Sequence, residues 1–144
     1  MHPRFPLPAP DDELTTPFWD AAARHQLAIP RCDGCGAWVW YPRPRCPACD
    51  GSALTWTPVS GRGRLFSWTV VRHAFLPAFR QRVPFVSGLV GLDEDSAVRV
   101  VTDVVDCEPA DLTPDMAVEV VFRPLSFPDV DGEVVAPLFR PPRH

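Results

Sequence analysis

In the second half of the chain, five mostly apolar stretches are separated by polar or turn-forming segments, which predicts a β-rich domain. These stretches are rich in Val, Phe, Trp and Thr and cover residues 64–72, 85–92, 98–105, 117–122 and 134–139. Acidic turns at 93–95 and 129–132 separate some of them. The first stretch is long enough to bend and to pair on two sides. Five such strands predict a Greek-key barrel of the OB-fold type, although the pattern alone leaves another small barrel open.

The first half of the chain begins with a different pattern. Residues 1–13 are proline-rich and then acidic, which predicts an extended tail that becomes ordered only if it docks on another surface. Thr16 and Pro17 follow as a helix N-cap and first helical residue, and predict a helix over 17–27. Phe18 and Trp19 lie on this short helix. Two bulky aromatic side chains need a surface to cover, either the protein's own core or a partner.

Four of the five cysteines form two Cys-x-x-Cys pairs within the stretch RCDGCGAWVWYPRPRCPACDG, residues 31–51, which we call the cysteine module. Four thiolates at this spacing suit one tetrahedral ion, and zinc is the usual occupant. We therefore predict a structural zinc bound by Cys32, Cys35, Cys46 and Cys49. The insert between the pairs is long enough for one β-hairpin, and Gly36 permits the turn after the first pair.

Other uses of these cysteines fit the spacing less well. A disulfide or a redox pair is disfavoured by the doubled motif, while an iron–sulfur cluster stays open as an alternative. The fifth cysteine, Cys107, follows a predicted strand and is expected to be a buried small hydrophobe. The predicted organisation is a tail at 1–15, a helix at 16–29, a ribbon at 30–56 and a barrel at 57–144. The fold class is thus mainly β, with an N-terminal helix, a rubredoxin-like zinc ribbon and a five-stranded OB-fold barrel.

Charge is distributed unevenly along the chain. Residues 1–90 hold ten arginines and six acidic residues, whereas residues 91–139 hold two arginines and twelve acidic residues. This asymmetry fits either two solvated faces or a basic half that meets an anionic group. All 14 basic residues are arginine, so lysine chemistry is excluded. The sequence shows no secretory signal and no apolar run of membrane-helix length, and the metal spacing of its cysteines favours a cytoplasmic location.

No nucleophile elbow, dinucleotide-binding or phosphate-loop motif occurs, and most acidic residues fall in predicted turns. A binding or scaffold protein is therefore favoured over an enzyme. In one hypothesis, Trp38, Trp40 and Tyr41 stack on single-stranded nucleic acid beside nearby arginines. In the other, the apolar surfaces dock on a protein partner. The loop at 73–84 is the most apolar of these surfaces.

The order of motifs resembles a known family. It runs FWDAAARHQLAIPRC, CDGCG, YPRPRCPACDG, SGRGRLFSWTVV, HAFLPAF and VPFV, then MAVEVVF and PLFRP. This order is similar to that of the zinc-ribbon plus OB-fold family long catalogued as a domain of unknown function. The resemblance extends from about Thr16 to Pro141, and the motifs are specific in combination.

The resemblance implies a non-catalytic subunit that binds a thiolase-like homodimer, with two copies of this chain in a heterotetramer. The partner would be a thiolase, a synthase or an aldolase acting on acyl-CoA, including steroid side-chain or fatty-acid substrates. It also implies partner contacts by aromatic residues, namely Phe18, Trp19, Trp38, Trp40, Tyr41, Phe75 and Phe79. Arg80 and Arg82 are expected to meet CoA phosphates or acidic partner residues. Alternatively, the 73–84 loop folds back over its own barrel.

Overall fold

A computed structural model describes residues 3–143 of the chain. Met1, His2 and His144, which belong to the predicted tail and barrel ranges, lie outside the described residues. In this part of the chain, the helices are one α-helix, α1 (Thr16–Ala23), and two short 3₁₀ helices at Pro77–Phe79 and Pro109–Asp111. The strands are β1 (Ala28–Cys32), β2 (Leu54–Pro58), β3 (Arg62–Val71), β4 (Phe85–Leu92), β5 (Asp95–Val104), β6 (Ala117–Leu125) and β7 (Val134–Arg140). The five predicted strands correspond to β3 to β7.

These five strands close a barrel in the order β3-β4-β5-β7-β6, which confirms the predicted OB-fold class. Strand β3 pairs with β4 along most of its length and with β6 through Arg62, Gly63 and Arg64. A bulge between Leu65 and Ser67 bends β3 between these two partners, as its length predicted. The β5–β7 contact is the exception to this regular pairing, because it contains the single parallel pair Val104↔Phe139.

Helix α1 ends at Ala23, four residues before the predicted end. His25 has a φ of 58°, and the N–H groups of His25 and Gln26 donate to Ala22 O and Ala21 O at 2.9 Å each. This pattern is a Schellman motif, which terminates the helix and turns the chain. Leu27, which was assigned to the helix, instead leads directly into β1.

The sequence analysis missed the two-stranded sheet of β1 and β2, which flanks the cysteine module on both sides. The predicted hairpin within the insert is wrong. The insert instead returns to β1 through the isolated bridge Arg31↔Trp38, supported by a Val39 N–H to Pro30 O bond of 2.8 Å. Two prolines near its end, Pro42 and Pro44, cannot donate to a second strand.

The proline-rich tail docks on the rest of the chain. Leu7 is only 1% exposed, and the guanidinium of Arg4 lies against Gly132 in the loop between β6 and β7. Burial of one leucine side chain contributes about 1.5–3 kcal/mol, which helps to offset the entropy of ordering the segment.

One hydrophobic core joins the helix, β1 and the barrel. It contains Phe18, Leu27 and Ile29 together with barrel residues such as Leu65 and Phe139. Trp19, Trp38, Trp40, Trp56 and Trp68 pack against this core. The cysteine module is therefore fixed to the barrel by its own aromatic side chains. No helix among the described residues is long and apolar enough to span a membrane.

Candidate functional site

The two Cys-x-x-Cys pairs fold into knuckles with matching backbone bonds. In the first, the Gly36 N–H donates to Cys32 O at 2.9 Å, and in the second, the Asp50 N–H donates to Cys46 O at 2.8 Å. Gly36 and Asp50 both have positive φ, at 77° and 63°. Asp50 thus takes the left-handed position that glycine holds in the first knuckle, which aspartate tolerates better than most residues.

An arginine before each pair fastens its knuckle. Arg31 Nε donates to Gly36 O at 3.0 Å, and Arg45 Nη1 donates to Asp50 O at 2.9 Å. The two knuckles are therefore local repeats of one another, each closed by a side-chain bond across the turn.

The geometry brings four sulfur atoms together. One sulfur from each of Cys32, Cys35, Cys46 and Cys49 lies within 4.8 Å of the others, and the pairs Cys32–Cys49 and Cys35–Cys46 are 3.5 and 3.7 Å apart. Zinc–sulfur bonds of about 2.3 Å in a tetrahedron require sulfur–sulfur distances of about 3.8 Å. The donor set therefore fits one thiophilic ion with a closed coordination sphere.

Backbone amides and neighbouring thiols shift the acidity of the cluster. The backbone N–H of Cys35 is the main cause that lowers the pKa of Cys32 to about 7. For Cys49, the Gly51 N–H favours the thiolate, but the other three thiols and burial outweigh it and raise its pKa to about 12. Once one cysteine of the cluster is a thiolate, its negative charge opposes ionisation of the neighbouring thiols. A bound cation would remove this repulsion.

Cys107 lies apart from this cluster and is half-buried rather than fully buried. Burial raises the pKa of its thiol, and the carboxylates of Asp111, Asp106 and Glu108 raise it further. These surroundings disfavour the thiolate form of Cys107.

The predicted partner-binding aromatic residues of the helix and the insert divide into packed and exposed groups. Phe18 is 8% exposed and contacts Trp40 at a ring distance of 5.3 Å, so it is a core residue and leaves little surface for a partner. Trp38 is half-buried beneath the guanidinium of Arg31, which lies 4.8 Å from the ring centre. Tyr41, in contrast, is 59% exposed. Trp19 is intermediate and packs edge-on against Phe18.

Trp19 and Tyr41 border a groove of about 330 Å³, which we call the seam groove because it lies where β5 and β7 stop pairing. One wall is Val100–Asp103 of β5, the other is Ala136–Leu138 of β7, and the roof is formed by α1 and the insert. The full lining is Thr15, Phe18, Trp19, Trp40, Tyr41, Val100, Val101, Thr102, Asp103, Leu125, Ala136, Pro137 and Leu138. Sequence reasoning identified the roof but missed both walls.

Asp103 is the one charged residue in this lining, and its charge is compensated. Burial raises the pKa of Asp103, while the guanidinium of Arg82, 3.6 Å away, opposes that shift. The charge of the ionised Asp103 is consequently compensated by Arg82, and the groove carries little net charge.

The 73–84 loop combines both behaviours that the sequence left open. Phe79 is half-buried and packs on Phe127 and Phe85 at ring distances of 5.3 and 6.3 Å. Arg82 also lies over the Phe127 ring, 5.1 Å from its centre. Phe75, however, is 89% exposed and contacts His73 edge-on at 4.7 Å. Arg80 is exposed as well. The loop is thus anchored by one end and presents the other to solvent.

A closed four-cysteine module fused to an OB-fold barrel places the chain in the class of zinc-ribbon plus OB-fold proteins. Two family models match adjoining parts of the chain. Residues 19–55 match the ChsH2 rubredoxin-like zinc ribbon domain, and residues 56–123 match the ChsH2 C-terminal OB-fold domain. The chain belongs to the ChsH2/DUF35 family of zinc-ribbon plus OB-fold proteins, which confirms the resemblance seen in the sequence.

Similar proteins cover most of the chain. A DUF35 domain-containing scaffold protein of Methanocaldococcus jannaschii is 31% identical over 85% of this chain and 86% of its own length. A probable enoyl-CoA hydratase alpha subunit of Thermomonospora curvata is 32% identical over 96% of this chain, which spans only 41% of that relative. The solved structure of an Ltp2-ChsH2(DUF35) aldolase contains a chain that matches with a TM-score of 0.79 and 31% identity, covering 94% of this chain and 98% of that one.

Proposed function

We propose that this chain is a non-catalytic scaffold subunit that binds and stabilises a thiolase-fold enzyme acting on acyl-CoA. The observation that carries the proposal is the match over nearly the whole of both chains to the DUF35 component of an Ltp2-ChsH2(DUF35) aldolase. Because the alignment covers 98% of that chain, the two chains share their domain composition. The partner supplies the reaction, and two copies of each chain form the assembly.

One structural zinc per chain completes the proposal. Cys32, Cys35, Cys46 and Cys49 hold the ion, which supplies rigidity rather than chemistry because all four ligand positions are filled by protein. The module needs this support, since its own core consists of Cys32, Val39 and Cys46 with few further apolar contacts.

The exposed aromatic residues are the proposed partner contacts. Tyr41 and Trp19 lie at the seam groove, and Phe75 projects from the 73–84 loop. Phe79 and Arg82 act indirectly, because they hold that loop on the barrel. Arg80, at the exposed side of the loop, is placed to contact acidic partner residues or the phosphates of CoA.

Nucleic-acid binding is less well supported by the same side chains. A stacking platform needs free aromatic faces beside free cations. Here Trp40 packs on Phe18, and Arg31 is engaged with the Trp38 ring and with Gly36 O.

The test is co-expression with a thiolase-fold protein of the Ltp2 type, followed by light scattering and acyl-CoA cleavage assays. We expect a two-plus-two complex, with turnover that requires the partner and none from this chain alone. Turnover by this chain alone, or no complex at micromolar concentrations, would contradict the proposal. Submicromolar binding of single-stranded oligonucleotides at physiological salt would favour the nucleic-acid alternative.

A further inference from the structure

The seam groove has an unpaired strand edge along one wall. Val105 N–H donates to Phe139 O at 2.8 Å, and peptide groups alternate in direction along a strand, so the peptide group of Val101 faces the same side. Within the described residues the β5–β7 ladder holds one pair, Val104↔Phe139, and does not reach Val101. Val101 itself is 71% exposed.

A proline explains why the ladder stops. The next residue of β7 that faces β5 is Pro137, whose carbonyl accepts the Thr102 hydroxyl at 3.1 Å. Proline has no N–H, so it cannot donate to the Val101 carbonyl as the continued parallel ladder would require. The β7 wall therefore lacks a donor at this position, whereas Val101 on the β5 wall keeps both its donor and its acceptor.

The β5 edge also has no uncompensated charge to protect it, because Asp103 is paired with Arg82. Between Val100 and Thr102 the side chains are uncharged, and the guanidinium of the preceding Arg99 is stacked over Phe66, 3.8 Å from the ring centre. An exposed edge without protecting charges is a template for another strand. The stretch Val100–Asp103 spans roughly 13 Å, enough to lie beside about four residues of extended chain, and Val101 presents its N–H and C=O toward the groove within it.

The charge of the groove narrows the choice of occupant. Asp103 is compensated by Arg82 at 3.6 Å, so the walls carry no net charge to attract CoA phosphates or nucleic acid. An uncharged apolar segment complements this neutral lining.

We propose that the seam groove receives an extended, uncharged segment of the partner enzyme, whose backbone pairs with the free edge of β5 at Val101. This inference rests on the proposed function, because it names the contact through which the partner is held. In this binding mode, main-chain hydrogen bonds supply affinity, and the fit of the added strand's side chains in the groove supplies specificity. Trp19, Trp40 and Tyr41 cover the inserted strand from above.

Amide hydrogen exchange of the intact protein, with and without a thiolase-fold protein of the Ltp2 type, tests the pairing directly. We expect the Val101 amide to exchange at least about tenfold more slowly in the complex, while the Val100 and Thr102 amides, which face β4, stay slow in both states. A Val101→Pro variant should bind the partner about tenfold more weakly, because it loses the donor and fills the edge. Val101→Thr, which keeps the N–H and the branched shape, should bind like the original chain.

The alternative outcomes separate the two proposals. An unchanged Val101 amide in a complex of full affinity overturns the strand pairing and leaves the scaffold function standing. Slowing by acyl-CoA alone, or by raising the concentration of this chain alone, would assign the groove to a small ligand or to a second copy. No complex at all overturns the scaffold function and this inference with it. Should Val101→Pro fail to fold, the exchange data on the unmodified chain decide.

Discussion

Phe75 and Phe79 stand four residues apart on the same loop and test how that loop divides its roles. Phe79 is half-buried against Phe127 and Phe85, whereas Phe75 is 89% exposed. Truncation of a fully buried phenylalanine to alanine lowers the free energy of unfolding by about 3–5 kcal/mol, so truncation of the half-buried Phe79 should lower it by about 2 kcal/mol. For a chain of 144 residues, this loss lowers the melting temperature by about 8 °C.

Phe75→Ala is the matched control, because truncation of an exposed ring changes stability by less than about 0.5 kcal/mol. Calorimetry of the isolated chain should therefore show a clear fall for Phe79→Ala and a shift of about 2 °C or less for Phe75→Ala. Titration with the partner should show the reverse ranking, with the larger affinity loss for Phe75→Ala. Equal melting temperatures for the two variants would refute the assignment of Phe79 as the anchor of the loop.

Three further predictions concern other parts of the chain. Elemental analysis should find one zinc per chain, lost in Cys46→Ser and retained in Cys107→Ser; a metal-free, fully folded chain would refute the zinc proposal. Leu7→Ala should destabilise the chain by about 2–4 kcal/mol and the more exposed Leu14→Ala by far less; equal denaturation midpoints would show that the tail does not stabilise the fold. The hydrogen bond from Arg123 is the main cause that lowers the pKa of Asp106. The stabilisation that Asp106 contributes is therefore fully present above its unfolded-state pKa of about 3.9, and it is lost as pH falls through its lower folded-state pKa. Urea midpoints between pH 5 and pH 2.5 should fall less steeply for Asp106→Asn than for the exposed control Asp131→Asn, and parallel curves would contradict this.

The barrel was predictable from sequence because the signal is local. The mostly apolar run at 85–92 predicted β4 with its observed bounds, Phe85–Leu92. The bent first strand followed from its length alone. The four-cysteine cluster was equally predictable from the sequence, because the Cys-x-x-Cys spacing fixes the geometry of each knuckle independently of the rest of the fold.

What could not be predicted from the sequence depends either on an unusual local backbone conformation or on contacts between distant residues. The end of α1 is set by the left-handed conformation of His25, which is uncommon for a residue other than glycine. Whether Phe18 or Tyr41 is exposed depends on how the module sits against the barrel, and periodicity does not encode that arrangement. The walls of the seam groove were missed for a similar reason, although Pro137 inside a strand was an available sign of an interrupted ladder.

The position of the cysteine module gives the proposed zinc a role beyond local folding. The roof of the seam groove includes Trp40 and Tyr41, which belong to the insert between the two knuckles. Trp40 is held in place by Phe18 of α1, and the start of the insert is held by the first knuckle, Cys32 to Gly36. Because the module has almost no core of its own, loss of the metal would release one of these two constraints while leaving the barrel folded. The four cysteines of the module would then affect the affinity of this chain for its partner without contacting the partner, because they fix the orientation of Tyr41.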